Sequence, residues 1–152
     1  MSTVAEHAAT RRTGLQVNLF FNGNAEEVLA HYAAALGGTP EIIRFEGTPA
    51  GEHASPEWKN KVLYGSLISP LGAINAMDAP PGRGPSAPGE NFAICVYADT
   101  EAQTDAVFAK LLAGGGTVTM PLEKTFWSPK FGMLTDKFGI KWMVNLQGEG
   151  TK

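Results

Sequence analysis

The amino-acid sequence contains an internal repeat, and this repeat limits the folds open to the chain more than any other feature. Asn24 and Glu27 form a capping pattern at the start of a helical stripe of apolar residues, and Thr100 and Gln103 form the same pattern 76 residues later. The two stripes also end at matching glycines, at 37–38 and 114–116. The chain is therefore expected to fold as two copies of one unit.

Strand-like segments surround each helical stripe in the same order. Alternating apolar segments at 15–21 and 92–97 precede the helices and indicate strands with one face on a core. A short strand is predicted at 41–45, and paired apolar segments at 62–77 and 126–146 predict hairpins. In the second hairpin the turn chemistry lies in Asp136-Lys137-Phe138-Gly139. The order strand, helix, three strands is thus predicted twice.

The repeat also predicts the domain organisation. A first module spans residues 14–78 and a second spans 90–147, with a flexible N-terminal tail at 1–13 and a short C-terminal tail at 148–152. Residues 79–89 hold four prolines and three glycines, which is typical of an extended linker. Within the first module, residues 47–61 form a long loop that could be either a lid over a binding site or a solvated loop.

Composition excludes several classes of function. Fifteen acidic against twelve basic residues give a net charge of −3, which argues against nucleic acid or an anionic membrane surface as a partner. No apolar segment is long enough to span a bilayer. One cysteine excludes an internal disulfide framework and favours a cytoplasmic protein. This residue, Cys95, lies in an apolar segment and is predicted to be a small core residue.

Two segments carry a family resemblance. The sequence Phe-Phe-Asn-Gly-Asn-Ala-Glu-Glu at 20–27, with Tyr32 and Leu36-Gly37-Gly38, and the hairpin at 126–146 resemble the PhnB-like branch of the glyoxalase/bleomycin resistance superfamily, also called the vicinal oxygen chelate superfamily. The resemblance covers about residues 15–147. It implies an α+β fold of two tandem βαβββ modules, with antiparallel-rich curled sheets, outer helices and an open cavity. It also implies a homodimer, which in this superfamily often shares strands between chains.

The resemblance also indicates where a metal ion would be held. Metal enzymes of this superfamily place His, Gln or Glu ligands on the first and last strands of each module. The repeat maps these positions to the neighbourhood of Gln16, Ala76, Phe92 and Met143, of which Gln16 alone has a ligating oxygen. One neutral ligand does not hold a divalent ion, so the sequence predicts no metal site and no cofactor. Phe92 and Met143 are predicted to line a mostly apolar cavity.

Uncharged amides are the main polar candidates for this cavity. Gln16 and Asn18 share a strand face with Phe20, and Asn75 on the fourth strand is expected to join them. Amides among apolar walls suit the orientation of a small neutral or weakly polar ligand by hydrogen bonds. Alternatively, these amides hydrogen-bond one another or ordered water.

Three further side chains precede or belong to the second hairpin. Trp127 and Trp142 are predicted to be core or cavity wall, since no basic groove accompanies them. Glu123 is a weak catalytic candidate: burial beside a tryptophan would raise the pKa of its carboxyl group and make it a general acid or base. A position in an exposed loop is the alternative.

These observations predict a metal-independent, PhnB-like small-molecule-binding protein, with a small-molecule ligand and a second copy of the chain as partners. Whether it is also an enzyme stays open. One alternative is a lyase- or isomerase-type or metal-dependent enzyme of the same superfamily, and another is a bleomycin-type antibiotic sequestration protein. Some PhnB-like proteins carry a methyltransferase name, but the glycines at 114–116 follow a helix, unlike those of a nucleotide-binding loop.

Overall fold

The computed structural model describes residues 14–79 and 87–148, and the chain divides after Ala87 into two compact units, with Ala34–Leu36 grouped with the second. Each unit contains a four-stranded mixed sheet and one long helix. This confirms the predicted α+β fold class, and neither sheet closes into a barrel. The tail at 1–13, most of the 79–89 linker and residues 149–152 lie outside the described residues. None of the described helices is long and apolar enough to cross a membrane.

The first unit begins with a strand and a helix and continues with three further strands. In chain order these are β1 (Val17–Phe21), α1 (Ala25–Leu36), β2 (Pro40–Arg44), β3 (Val62–Ser69) and β4 (Gly72–Asp78). The spatial order is β1-β4-β3-β2. β1 runs parallel to β4, whereas β4 with β3 and β3 with β2 are antiparallel pairs.

The second unit repeats this plan. Its elements are β5 (Ile94–Ala98), α2 (Glu101–Leu112), β6 (Thr117–Glu123), β7 (Phe131–Thr135) and β8 (Lys141–Leu146), in the spatial order β5-β8-β7-β6. β5 runs parallel to β8, as β1 does to β4. At its outer edge, the pairing of β6 with β7 shifts register twice, on either side of Met120. Pro121 lies in this irregular part of β6.

Each sheet packs one face against its own helix, and a glycine on the middle strand makes the close approach possible. A methyl group at Gly65 on β3 would lie 2.5 Å from Leu29 Cδ1 on α1. At the matching Gly132 on β7 it would lie 2.8 Å from Phe108 Cε1 on α2. Both distances are far below van der Waals contact, so the helices could not pack this closely over a larger residue.

The two helices begin in different ways, and one of the two predicted capping boxes is wrong. At α2, Thr100 Oγ1 accepts a hydrogen bond from Gln103 N at 3.1 Å, as predicted. Gln103 Oε1 accepts one at 2.8 Å from Asp99 N, one residue before the N-cap. At α1, within the described chain, the Asn24 side chain makes no capping bond.

The carboxylate of Asp78, at the end of β4, takes the place of the missing cap. Its Oδ1 accepts hydrogen bonds from Gly23 N and Ala25 N, each at 2.9 Å. Its Oδ2 accepts one from Val62 N, also at 2.9 Å. One buried side chain therefore joins the start of α1 to the start of β3, which a local sequence pattern could not reveal.

The predicted turn of the second hairpin is confirmed. Gly139 has a φ of +88°, a conformation that suits glycine. The carboxylate of Asp136 organises the turn, because its Oδ1 accepts hydrogen bonds from Phe138 N at 2.9 Å and Ile140 N at 3.0 Å. Its Oδ2 accepts one from Trp142 Nε1 at 2.9 Å.

The long loop of the first unit has its own local structure. It contains two short 3-10 segments, Pro49–His53 and Pro56–Trp58. Thr48 Oγ1 donates a hydrogen bond to Phe45 O at 2.6 Å, and the Trp58 ring meets the Phe45 ring edge-on at 6.0 Å. Trp58 thus packs on Phe45 at the start of this loop. The role of the loop as a lid remains a prediction.

Candidate functional site

The candidate site is the face of the first sheet that points away from α1. Gly65 points toward this helix, so its strand partner Ala76 does as well, and the neighbouring Asn75 points to the opposite face. Asn75 lies directly between Asn18 on β1 and Ser66 on β3. Three polar side chains therefore form a row across the middle of the helix-free face.

A buried amide lies at the centre of this row. Asn75 is 2% exposed, and its Nδ2 donates a hydrogen bond to Gln16 Oε1 at 2.9 Å. Its Oδ1 is buried and has no hydrogen-bond partner among residues 14–79 and 87–148. A buried acceptor without a partner costs about 1–3 kcal/mol. A donor from a bound molecule would remove this cost, so Asn75 Oδ1 has the chemistry of a ligand-orienting group.

The other candidates of the first unit lie on the same face. Asn18 and Phe20 alternate with the helix-facing Leu19, and Phe20 lies opposite Met77 with 55% of its surface exposed. The structure thus brings Gln16, Asn18, Phe20 and Asn75 together as a polar row beside an exposed aromatic ring. It also shows that two of the predicted amides, Asn75 and Gln16, bond each other, while the buried Oδ1 of Asn75 has no partner among the described residues.

The candidates of the second unit lie on different segments, with Met143 in β8 and both Phe92 and Trp127 outside the strands. Met143 points away from α2, because its neighbour Val144 is the strand partner of the helix-facing Gly132. Phe92 precedes β5 and is 45% exposed. Trp127 is 51% exposed and meets the Phe131 ring at a centroid distance of 5.5 Å.

Trp142 lies on the other face from Met143, since adjacent strand residues point in opposite directions. It is 1% exposed and bonded to Asp136, so it belongs to the core, which is one of the two predicted positions, and not to the same wall as Met143.

The prediction that Cys95 is a core residue is wrong. Cys95 is exposed and pairs with Met143 across the helix-free face, while the adjacent Val96 is 6% exposed and pairs with Val144. Asn145 Nδ2 donates a hydrogen bond to Cys95 Sγ at 3.5 Å. The alternation around Val96 indicates that Cys95 points to the opposite face from Val96. The apolar composition of the segment led to the wrong prediction.

Glu123 does not meet the condition for a buried general acid or base. It is the last residue of β6, it is exposed, and its strand partner is Phe131. The repeat predicts a third strand in the second module, whereas the residues around Glu123 are more typical of an exposed loop.

A charged cleft of about 590 Å³ lies at the start of α1 and is a weaker candidate. Arg44 Nη1 and Nη2 donate to the two carboxylate oxygens of Glu26, both at 2.9 Å, and Lys61 Nζ donates to Gly23 O at 2.9 Å. The hydrogen bond from Arg44 lowers the pKa of Glu26 and raises the pKa of Arg44. Because these charges already have partners in the fold, the cleft is best understood as structural.

The positions mapped as metal-ligand sites differ in orientation within their own units. Gln16 and Met143 lie on helix-free faces, Ala76 points toward α1, and Phe92 lies before its strand. In the part of the chain that the structure describes, no three His, Cys, Asp or Glu side chains come together in a way that could hold a metal ion.

Comparison with known proteins identifies relatives that match nearly the whole chain. A sequence model of the Glyoxalase/Bleomycin resistance protein/Dioxygenase superfamily matches residues 7–144. Protein PA1353 from Pseudomonas aeruginosa is similar at 36% identity and a TM-score of 0.76, covering 89% of this chain and 98% of that chain. A PhnB protein from Bacillus cereus, described as a putative 3-demethylubiquinone-9 3-methyltransferase, is similar at 25% identity and a TM-score of 0.69, covering 89% of this chain and 100% of that chain.

A shorter match connects the chain to a curated protein. Protein YjdN of Escherichia coli (strain K12) is 49% identical over 35 residues. This match spans 23% of the present chain and about a quarter of the length of YjdN.

Proposed function

Because this chain belongs to the glyoxalase/bleomycin resistance protein/dioxygenase superfamily, we propose that it is a PhnB-like protein that binds a small molecule without a divalent metal ion. The observation that carries the proposal is the buried Asn75 Oδ1, which has no partner among the described residues. The side chains beside it are uncharged, which favours a neutral or weakly polar ligand over an ion.

The contacts around Asn75 suggest how such a ligand is oriented. An N–H or O–H group of the ligand donates to Asn75 Oδ1, whose amide plane is fixed by the bond from its Nδ2 to Gln16. The exposed ring of Phe20 and the neighbouring Met77 offer apolar contact one row away. Ligand sites usually combine apolar walls with a few placed polar groups, and this face has both.

The test is to compare what co-purifies with the native protein and with Asn75→Leu. Leucine has a similar size but removes the acceptor, so the dissociation constant of the copurifying molecule is expected to rise at least about tenfold, which equals about 1.4 kcal/mol. Its bound fraction in native mass spectrometry is expected to fall accordingly. Asn91→Leu, an exposed position outside the sheets, serves as the matched control. Equal occupancy in Asn75→Leu, or a native protein that carries no small molecule, would contradict the proposal.

Independence from a divalent metal ion is tested separately. Treatment with a chelator is expected to leave the bound fraction unchanged, because the proposed contacts are hydrogen bonds and apolar packing. Elemental analysis that finds one stoichiometric divalent ion, together with ligand loss on chelation, would instead favour a metal-dependent member of the superfamily.

We also propose that the chain forms a homodimer in the cytoplasm. Large apolar side chains are exposed in both units, with Phe20 at 55%, Tyr97 at 61% and Phe126 at 97%, and such surfaces often mark contact with another chain. The single cysteine supports a reducing compartment, since it can form no disulfide within the chain.

A further inference from the structure

Four sulfur-containing side chains form one row across the second sheet. Cys95 on β5 lies directly opposite Met143 on β8, Met143 lies opposite Met133 on β7, and Met133 lies opposite Met120 on β6. Cys95, Met143 and Met133 point away from α2, because the positions that alternate with them pair with the helix-facing Gly132 or are buried with it. Met120 is assigned to the same face by its pairing with Met133. We call these residues the sulfur row.

The spacing of the sulfur row allows neighbouring sulfur atoms to bind one ion. Side chains directly opposite in a sheet have Cβ atoms about 4.5–5.5 Å apart. Two sulfur ligands with metal bonds of about 2.3 Å lie roughly 4 Å apart around a three-coordinate ion. The unbranched methionine side chain has several rotatable bonds, so Met143 and Met133 can both bring their sulfur atoms toward Cys95, which lies one strand from Met143 and two strands from Met133.

Access and local hydrogen bonding favour binding at the β5 end of the row. Cys95 is exposed, and Met143 and Met133 are partly exposed, so an ion can reach them from solvent. The amide of Asn145, itself 5% exposed, donates to Cys95 Sγ at 3.5 Å. A hydrogen-bonding residue beside a metal ligand orients that ligand.

We propose that Cys95, Met143 and Met133 bind one Cu(I) ion, a soft monovalent metal. Thiolate and thioether sulfur are the ligands that select Cu(I), whereas divalent hard ions prefer oxygen. On binding, the Cys95 thiol releases its proton to solvent and its sulfur donates an electron pair to the ion, as do the two thioethers, with no change in oxidation state. This site lies on a different sheet from Asn75 and does not rest on the proposed function.

The test is a competition between the full-length protein and a coloured Cu(I) chelator under reducing, oxygen-free conditions. Native protein is expected to remove one equivalent of Cu(I) from the chelator. Cys95→Ser, Met143→Leu and Met133→Leu are each expected to weaken binding at least about tenfold, since loss even of groups that only support a ligand typically costs 10–100-fold. Met77→Leu, a methionine of the first sheet, is the matched control and should retain native affinity.

The dependence on pH distinguishes the thiol from the thioethers. Because the thiol must lose a proton, the Cu(I) affinity of the native protein should weaken as the pH falls. Met143→Leu should keep this pH dependence and Cys95→Ser should lose it. The leucine variants conserve volume, and circular dichroism confirms their folding. Native protein that does not compete with the chelator, or leucine variants that bind as the native protein does, would overturn the proposal.

Discussion

Single side chains determine the chemistry of each helix-free face. The phenol of Tyr97 shows this on the second sheet, where it lies two residues from Cys95 on the same face. The negative charge of the ionised Cys95 thiol, together with a hydrogen bond between the two groups, raises the pKa of Tyr97 above its usual value of 10.0. The titration of Tyr97 is therefore sensitive to the charge on Cys95.

Replacing Cys95 by serine is expected to lower the pKa of Tyr97. Serine keeps the size and the hydrogen-bonding group but carries no charge, so the phenol no longer ionises beside an anion and loses its proton at lower pH. Absorbance at 295 nm as a function of pH measures this titration. Tyr97→Phe identifies which part of the signal belongs to this residue, and an unchanged titration in Cys95→Ser would show that the two groups do not interact.

At the scale of secondary-structure elements, contacts distant in sequence decide how helices begin and how closely they pack. The start of α1 depends on Asp78 from β4, 53 residues beyond Ala25, while α2 is capped by its own Thr100. The two copies of the repeat thus reach one architecture through different hydrogen bonds.

Asp78→Asn is expected to destabilise the protein by about 2 kcal/mol, because the amide replaces one acceptor oxygen by a donor that faces a backbone N–H. Asn24→Ala, in contrast, should change the free energy of unfolding by less than about 0.5 kcal/mol, since its side chain makes no capping bond in the described structure. Urea denaturation of the two variants measures both values. A larger loss for Asn24→Ala than for Asp78→Asn would refute this account of the start of α1.

Gly65→Ala is expected to destabilise the first unit by about 1–3 kcal/mol. The added methyl group would lie 2.7 Å from the Ala76 carbonyl oxygen as well as close to Leu29, and a backbone oxygen cannot move without disturbing the sheet. Gly47→Ala is the comparison, because no atom of the described residues lies close to the added methyl group there. Any loss of stability in Gly47→Ala would come from its φ of +83°. Thermal unfolding compares the two, and a folded Gly65→Ala variant of native stability would contradict the packing argument.

For the whole molecule, association of two chains is the expected state. Size-exclusion chromatography with light scattering should give twice the 16.1 kDa mass of the chain. Phe126→Ser combined with Trp127→Ser removes two exposed aromatic rings and is expected to shift the protein toward the monomer. A native protein of 16.1 kDa at all concentrations would exclude the dimer.

The sequence predicted the architecture because the repeat, the helical stripes and the turn at 136–139 are local patterns. Sheet register is not local, and most differences arise from it. The choice between core and cavity wall for Trp142 and the hydrogen bonds of Asp78 to α1 each depend on which residue lies across the sheet. That Gln16, Asn18 and Phe20 share one face could be predicted from the sequence, because alternation within one strand fixes the face without knowledge of the neighbouring strand. That Asn75 Oδ1 has no hydrogen-bond partner among residues 14–79 and 87–148 could be learned from the structure alone.

The irregular outer strand β6 has a consequence for the behaviour of the protein at high concentration. Open sheet edges offer unpaired backbone groups on which a further strand can grow. Here Pro121 supplies no N–H, and the two register shifts around Met120 break the even spacing that an incoming strand would need. The β6 edge of the second sheet is thereby protected against pairing with strands of further molecules. Every residue of this strand except Leu122 is nevertheless exposed to solvent.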